Sequence, residues 1–371
     1  MHYHVYDDND TLKSVMLGTW FLPEYFNTIS DAKVREPLKQ IAHETHEDLD
    51  TFSDTLKQHG VQVVRPTSPG GHYFKDNAVL PALNVRDNMR VVDNKLYKLF
   101  SRTPEYDQSI EDVLPNFIDL TNILKDSNKL AKDLPLYSKQ HYELLAGADW
   151  PSFDDFCAGH TSKDANIADE IEQFRDSLTY DTLVSPQGPN ILLHNNEVIV
   201  DHHEYVDFVD VLQNHIKTNK SWKSINTRAG HTDGCFNTLN SNTVIGIDTM
   251  LEDFFPKYNK INVTWDNYQN HIESFKKHKQ NVGGRWWVPG QEHNTKFTSY
   301  VEKYLTHLVG YVEETQFDVN VLSLNSKTVF VTSTDTKKLK EYNIDAIPIR
   351  WRHRWFHDGG LHCLTLDLHR Q

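Results

Sequence analysis

The sequence predicts an α/β protein made of repeated modules packed around a shared axis. Three observations predict it. A short apolar strand, a polar turn and a second apolar strand recur in that order four times. Helical stretches follow at least two of these hairpins, and the chain opens as strand, helix, strand. Modules of this kind cannot bury their apolar faces alone, so they must pack on one another.

Residues 14–18 form the first strand. Leu38, Ile41, Leu49, Phe52 and Leu56 lie at helical spacing between Lys33 and His59. Gly60 ends that helix, and 61–64 reads as a strand. The first hairpin follows Arg86-Asp87 and turns at Asp93-Asn94; the second follows Gly188-Pro189-Asn190 and turns at Asn195-Asn196. The third runs from His231-Thr232-Asp233-Gly234-Cys235-Phe236-Asn237 through a turn at 240–242. The fourth runs from Val319-Asn320 through Asn325-Ser326 to Val331. Helices are expected over 204–216 and 335–342, and a strand over 346–350. Polar residues just before each first strand would then meet in one central cleft. No Pro/Gly/Ser-rich linker divides the chain, so it reads as one domain over 1–371. Insertions are expected near 98–186 and 251–315, where the pattern breaks.

The chain has 371 residues, with 38 Lys and Arg against 52 Asp and Glu, a net charge of −14 with His neutral. That balance argues against a nucleic-acid binder, which needs a basic face to displace counterions. Three cysteines far apart form neither a disulfide framework nor a paired zinc motif. No stretch approaches the 18 or so apolar residues of a membrane span. The polar, acidic opening has no signal-peptide character. A reducing, cytoplasmic location is expected.

The segment from His357 to Arg370 contains Gly359-Gly360-Leu361-His362-Cys363. Paired glycines allow close backbone approach to a bound group, and a thiolate after them could act as a nucleophile. An isolated Cys is more often buried packing. His231 and Asp233, two apart, share one face of an extended segment, where the carboxylate could orient the imidazole or grip a cation. Asp-Gly is also a common surface turn. Asp87 could hold a planar guanidinium by paired hydrogen bonds, although Arg86-Asp87 alone reads as readily as a surface ion pair. His202-His203-Glu204 fits no common zinc spacing.

Together these segments resemble the amidinotransferases, the family that includes arginine:glycine amidinotransferase. The resemblance covers most of the chain. It rests on the opening Tyr6–Gly18 segment, on Arg86-Asp87 before a strand, on His-x-Asp-x-x-Phe-Asn at 231–237, and on Gly-Gly-Leu-His-Cys at 359–363. It implies the pentein fold, a five-bladed α/β propeller of ββαβ-type modules with pseudo-fivefold symmetry. It also implies that Cys363 attacks the central carbon of a guanidino group, and that His231 protonates the departing amine and later deprotonates the acceptor. Asp87 and Asp233 would hold the amidino nitrogens. Arg86, Gln187, Asn190, Asn320 and Gly360 would complete the substrate site. No metal or organic cofactor is implied. The partners are a guanidino donor and an amine acceptor, with no nucleic acid or membrane, and self-association as a homodimer stays open.

The sequence departs from the family in two places. Gln187 stands where the family has an Asp, and an amide cannot supply its charge. An ungapped count puts Met250 where the family's Arg grips an amino-acid carboxylate. Both changes point away from arginine and glycine as the substrates. The Arg350–His357 segment and Arg285-Trp286-Trp287 offer cations and aromatic rings for an anionic or planar acceptor. Each also reads as an amphipathic strand with a buried Trp face. A deiminase-type hydrolase and a non-catalytic binding protein are the alternatives on the same scaffold.

Overall fold

A computed structural model describes residues 2–68, 81–124, 186–201, 208–225, 231–247, 251, 254–263, 291, 293–304, 319–332, 336–357 and 359–371. Its strands, in chain order, are β1 (Leu12–Leu17), β2 (Gln62–Val64), β3 (Met89–Val92), β4 (Lys95–Lys98) and β5 (Phe117–Asp119). Then come β6 (Ile191–His194), β7 (Glu197–Asp201), β8 (Ser221–Ile225), β9 (Phe236–Asn240) and β10 (Thr243–Ile247). The last are β11 (Asn259–Val263), β12 (Leu322–Asn325), β13 (Thr328–Val331), β14 (Asp345–Pro348) and β15 (Thr365–Arg370). They form five three-stranded sheets: β15-β1-β2, β3-β4-β5, β6-β7-β8, β9-β10-β11 and β12-β13-β14. Every sheet pairs its first two strands antiparallel and its last two parallel. In the first sheet the C-terminal strand β15 replaces the missing hairpin partner of β1. Closure therefore depends on the last residues of the chain.

The turns explain the hairpins. Asn195 and Asn196 both have positive φ, 49° and 63°, which is the backbone of a type I′ turn and suits Asn. The long helix α1 (Ala32–Gln58) starts at Asp31, whose side chain accepts from the Lys33 N–H, and Gly60 follows its end at φ 80°. Leu38, Ile41, Leu49, Phe52 and Leu56 are all buried against the first and fifth sheets' core, as their spacing predicts. The other helices are α2 (Pro104–Glu111), α3 (Val209–His215), α4 (Thr295–Tyr304), α5 (Lys337–Glu341) and α6 (Arg354–His357).

Three strands correct the expected boundaries. β5 and β11 are the third strands of their sheets yet lie in the regions expected as insertions, and β8 ends a sheet where no strand is expected. β5 exposes Ile118 and Asp119 and half-buries Phe117, so it carries no apolar alternation. Parallel pairing to β4 forms it instead. Among the described residues, no helix is long and apolar enough to cross a membrane. Met250, His202, His203, Glu204, Arg285, Trp286 and Trp287 lie outside the described residues.

A buried ionic network joins the sheets near the closure. Arg370 donates from Nε to Asp367 Oδ2 (2.9 Å), from Nη2 to the Ser323 carbonyl (2.8 Å) and from Nη1 to the Asp10 carbonyl (2.7 Å). Arg86 Nη2 reaches Asp367 Oδ1 from the second sheet (3.1 Å). Burial alone would raise the Asp367 carboxyl, but Arg370 and Arg86 outweigh it and hold it well below the ordinary carboxylate range. A carboxyl depressed on folding stabilises the native state above its unfolded value, and that contribution fades as pH falls toward the folded value. Asp367→Asn is therefore expected to destabilise the protein by about 3–5 kcal/mol at neutral pH, as losing one partner of a buried ion pair does. It should also flatten the loss of stability below about pH 4. Chemical denaturation from pH 7 to 3 checks both.

Candidate active site

In each sheet, a turn before the first hairpin strand carries a polar or reactive side chain. These turns hold Asp87 before β3, Gln187 before β6, His231 and Asp233 before β9, Asn320 before β12 and Cys363 before β15. Short 3-10 turns over Gly188–Asn190 and Thr232–Gly234 set two of them. The turns pack closely enough to require glycine. A Cβ on Gly188 would lie 2.0 Å from the Arg86 carbonyl oxygen, and one on Gly360 would lie 2.5 Å from Asn320 Oδ1. The expected convergence on one cleft thus rests on backbone contact between neighbouring sheets.

Asn320 is the hub. Its Oδ1 accepts from the backbone N–H of His362 (2.9 Å) and of Cys363 (3.2 Å). Its Nδ2 donates to Cys363 Sγ and to the Asp233 carbonyl, both at 3.1 Å. All four contacts are to the protein, and the residue is fully buried. Asn320, expected as a substrate ligand, is instead the residue that positions the thiol. Asn190 is likewise turned inward, its Oδ1 accepting from the Gln187 N–H (3.1 Å). Arg86 is buried and gives Nε to the His362 carbonyl (2.9 Å) and Nη2 to Asp367, so it braces the cysteine turn from behind. Gly360 serves through its missing side chain.

Asp233 Oδ2 accepts from His362 Nδ1 (2.7 Å) and lies 3.5 Å from Cys363 Sγ. The carboxylate can only accept, so Nδ1 of His362 carries the proton. Burial and the nearby Arg86 push His362 toward the neutral form, against the pull of Asp233. Burial alone would raise Asp233, but His362, His231 and Arg86 bring its carboxyl below the ordinary range. His231 is partly exposed; its Nε2 bonds Gln187 Oε1 (2.7 Å) and its Nδ1 lies 3.9 Å from Asp87 Oδ1. With an amide oxygen as acceptor, Nε2 keeps a proton, and Nδ1 faces the site. Asp87 Oδ2 is paired with Arg102 Nη2. The remaining oxygens, Asp87 Oδ1 and Asp233 Oδ1, are buried and have no hydrogen-bond partner.

His362 and Arg102 are the two site residues that sequence reasoning missed. The Gly-Gly-Leu-His-Cys run contains His362, but only the fold shows that it grips Asp233. Nothing in the sequence links Arg102 to Asp87, 15 residues earlier.

The Arg350–His357 segment offered an acceptor-contact reading and a buried-Trp reading, and its Trp351 is buried. Arg352 donates from Nε and its backbone N–H to Asp48 (3.0 and 2.8 Å) and from Nη2 to the Glu44 carbonyl and Glu47 (2.6 and 2.8 Å). His353 Nε2 meets Glu44 (2.6 Å), and His357 Nε2 meets Thr45 Oγ1 (2.8 Å). Arg352 is therefore committed to α1 and not to an anionic acceptor. Among the described residues, no three His, Cys, Asp or Glu side chains are grouped to hold a metal ion.

No family model matches the chain, and no curated protein matches it in sequence. Solved structures do resemble it. Inosamine-phosphate amidinotransferase of Streptomyces griseus superposes with a TM-score of 0.57 at 15% identity, covering 100% of this chain and 97% of its own. An amidinotransferase of the saxitoxin biosynthetic pathway of Microseira wollei gives 0.59 at 14% identity, covering 100% and 98%. The chain has the pentein fold. The five sheets of one topology, closed by β15, are its five blades. A dimethylarginine dimethylaminohydrolase aligns with a TM-score of 0.49 at 10% identity.

The Cys363 thiol is raised well above the ordinary thiol range, first by burial and then by the charges of Asp233 and Asp87. In the pentein turn geometry described here, both carboxylates therefore oppose ionisation of the free protein's thiol. Alkylation of Cys363 by iodoacetamide should stay slow at neutral pH and rise only at alkaline pH. Asp233→Asn should move that rise to lower pH. Peptide mass mapping separates Cys363 from Cys235, which is also buried.

Proposed function

We propose that this chain is a guanidino-modifying enzyme that transfers an amidino group through a covalent intermediate on Cys363. One observation carries the reading. Two buried carboxylates each keep an unpartnered oxygen beside the thiol, the arrangement a planar cation needs. An amidino cation bound between Asp87 Oδ1 and Asp233 Oδ1 would cancel the charge that keeps Cys363 protonated. Binding of the right substrate would thus let the thiol proton pass to His231 Nδ1 and leave the thiolate as the nucleophile.

The thiolate then adds to the central amidino carbon and forms the C–S bond. Electrons pass to the amidino nitrogens, which the carboxylates hold. The intermediate collapses with cleavage of the C–N bond, and His231 gives its proton to the departing amine. An acceptor amine next attacks the same carbon, His231 takes its proton back, and the C–S bond breaks. The wholly protein-bound Asn320 keeps Sγ in line throughout. Gln187 orients His231 but, as an amide, adds no charge to the site. This favours a donor other than one chosen by three carboxylates.

The test is intact mass after acid quench, with a panel of guanidino compounds and no acceptor. An amidino-sized adduct mapping to Cys363, and absent from Cys363→Ala, is expected. Added amines should discharge it to a new guanidino product. Discharge by water alone to a ureido product would replace transfer by hydrolysis. No adduct with any member of the panel would contradict covalent amidine chemistry and favour a binding role.

A further inference from the structure

Arg102 places a guanidinium of the protein's own on the carboxylate that a donor would need. It lies in the loop between β4 and α2, and its Nη2 pairs with Asp87 Oδ2. The placement is built in. Asp107 accepts from the Arg102 backbone N–H (3.2 Å), from Lys98 Nζ (2.8 Å) and from Asn88 Nδ2 (2.7 Å). Asn88 adjoins Asp87, and its carbonyl also accepts from the Leu99 N–H (2.8 Å). Buried polar bonds therefore tie the loop that carries Arg102 to the turn that carries Asp87. The Tyr106 ring lies beside the guanidinium, with its centroid 5.7 Å from Cζ.

We infer that Arg102 is a tethered competitor for the donor cation, an autoinhibitory contact that sets which guanidino compounds the site accepts. The inference rests on the amidino-transfer reading above. Asp87 offers two oxygens, and Arg102 holds one, so an incoming amidino cation finds a single oxygen and a like charge beside it. The two partners are not equally fixed. Asp87 is 1% exposed, whereas the Arg102 side chain is 27% exposed and so costs less to return to water. Arg102 is thus the partner that yields. A ligand able to displace it gains both oxygens of Asp87; one that cannot is held by Oδ1 and Asp233 alone. The tether discriminates against small or weakly anchored guanidinium ions, which bring no second contact to offset the displacement.

Calorimetric titration of the full-length protein with guanidinium chloride and with arginine tests this. Arg102→Gln is expected to lower the Kd for guanidinium about tenfold, the scale of one lost competing ion-pair contact. The KM of any donor identified by the mass assay should fall in parallel. Arg102→Lys keeps the charge with a shorter reach and should fall between the two, which also covers the case in which the Gln variant does not fold. A residue that merely positions Asp87 predicts the reverse, because its loss would weaken binding. Equal or weaker guanidinium binding by a folded Arg102→Gln, with wild type binding and forming the Cys363 adduct, overturns the inference and leaves amidino transfer standing. No binding by either protein and no adduct on Cys363 overturns both.

Discussion

A thiol and two carboxylates share a site from which water is largely excluded, and the rest of the structure answers to that charge problem. Asp87 and Asp233 are buried within the same cluster of turns as Cys363. Uncompensated buried charge is costly, so each carboxylate has one oxygen bound by the protein: Asp233 by the His362 imidazole and Asp87 by the Arg102 guanidinium. The other oxygen of each has no hydrogen-bond partner among the described residues. The two carboxylates and burial together oppose ionisation of the thiol, and the proposed amidino cation would offset their charge.

Holding these groups together requires a scaffold that cannot relax. The five blades supply it by delivering one turn each to a common centre. Asn320, from the fifth blade, fixes the cysteine turn through its own amide, while Arg86, from the second, braces the same turn through the His362 carbonyl. β15 carries Cys363 into place and closes the first blade at the same time. Arg370 and Asp367, on that strand, lock the closure to the fifth and second blades. The strand that closes the ring therefore also carries the thiol. The cation-rich segment before the glycines belongs to this scaffold as well, because Arg352 and His353 anchor it to the acidic face of α1.

Much of this was legible in the sequence because hairpins and their turn residues are local signals. Asn195-Asn196, the apolar stripe of α1 and the polar residues before each first strand all read correctly from spacing. The parallel third strands β2 and β14 read correctly too, but β5, β8 and β11 did not. β5 and β8 have too little apolar alternation, and their partners alone make them strands. The site was legible as a set of residues but not as a division of labour. Asn320 and Asn190 read as ligands because they are polar and near the cleft, yet the Asn320 amide spends its donors and acceptor on the protein, and Asn190 Oδ1 accepts from the Gln187 N–H. Arg102 and His362 were invisible as site residues because their meaning lies in pairings that only the folded ring creates.

The central claim is that Asp87 Oδ1 and Asp233 Oδ1 are the two acceptors for an amidino cation over Cys363. A crystal structure of Cys363→Ser soaked with a guanidino compound that labels the wild-type cysteine tests it most directly. Amidino nitrogens are expected within hydrogen-bond distance of both oxygens, with the central carbon facing the Ser hydroxyl. A ligand bound elsewhere, or one that leaves either carboxylate oxygen without a contact, would contradict it.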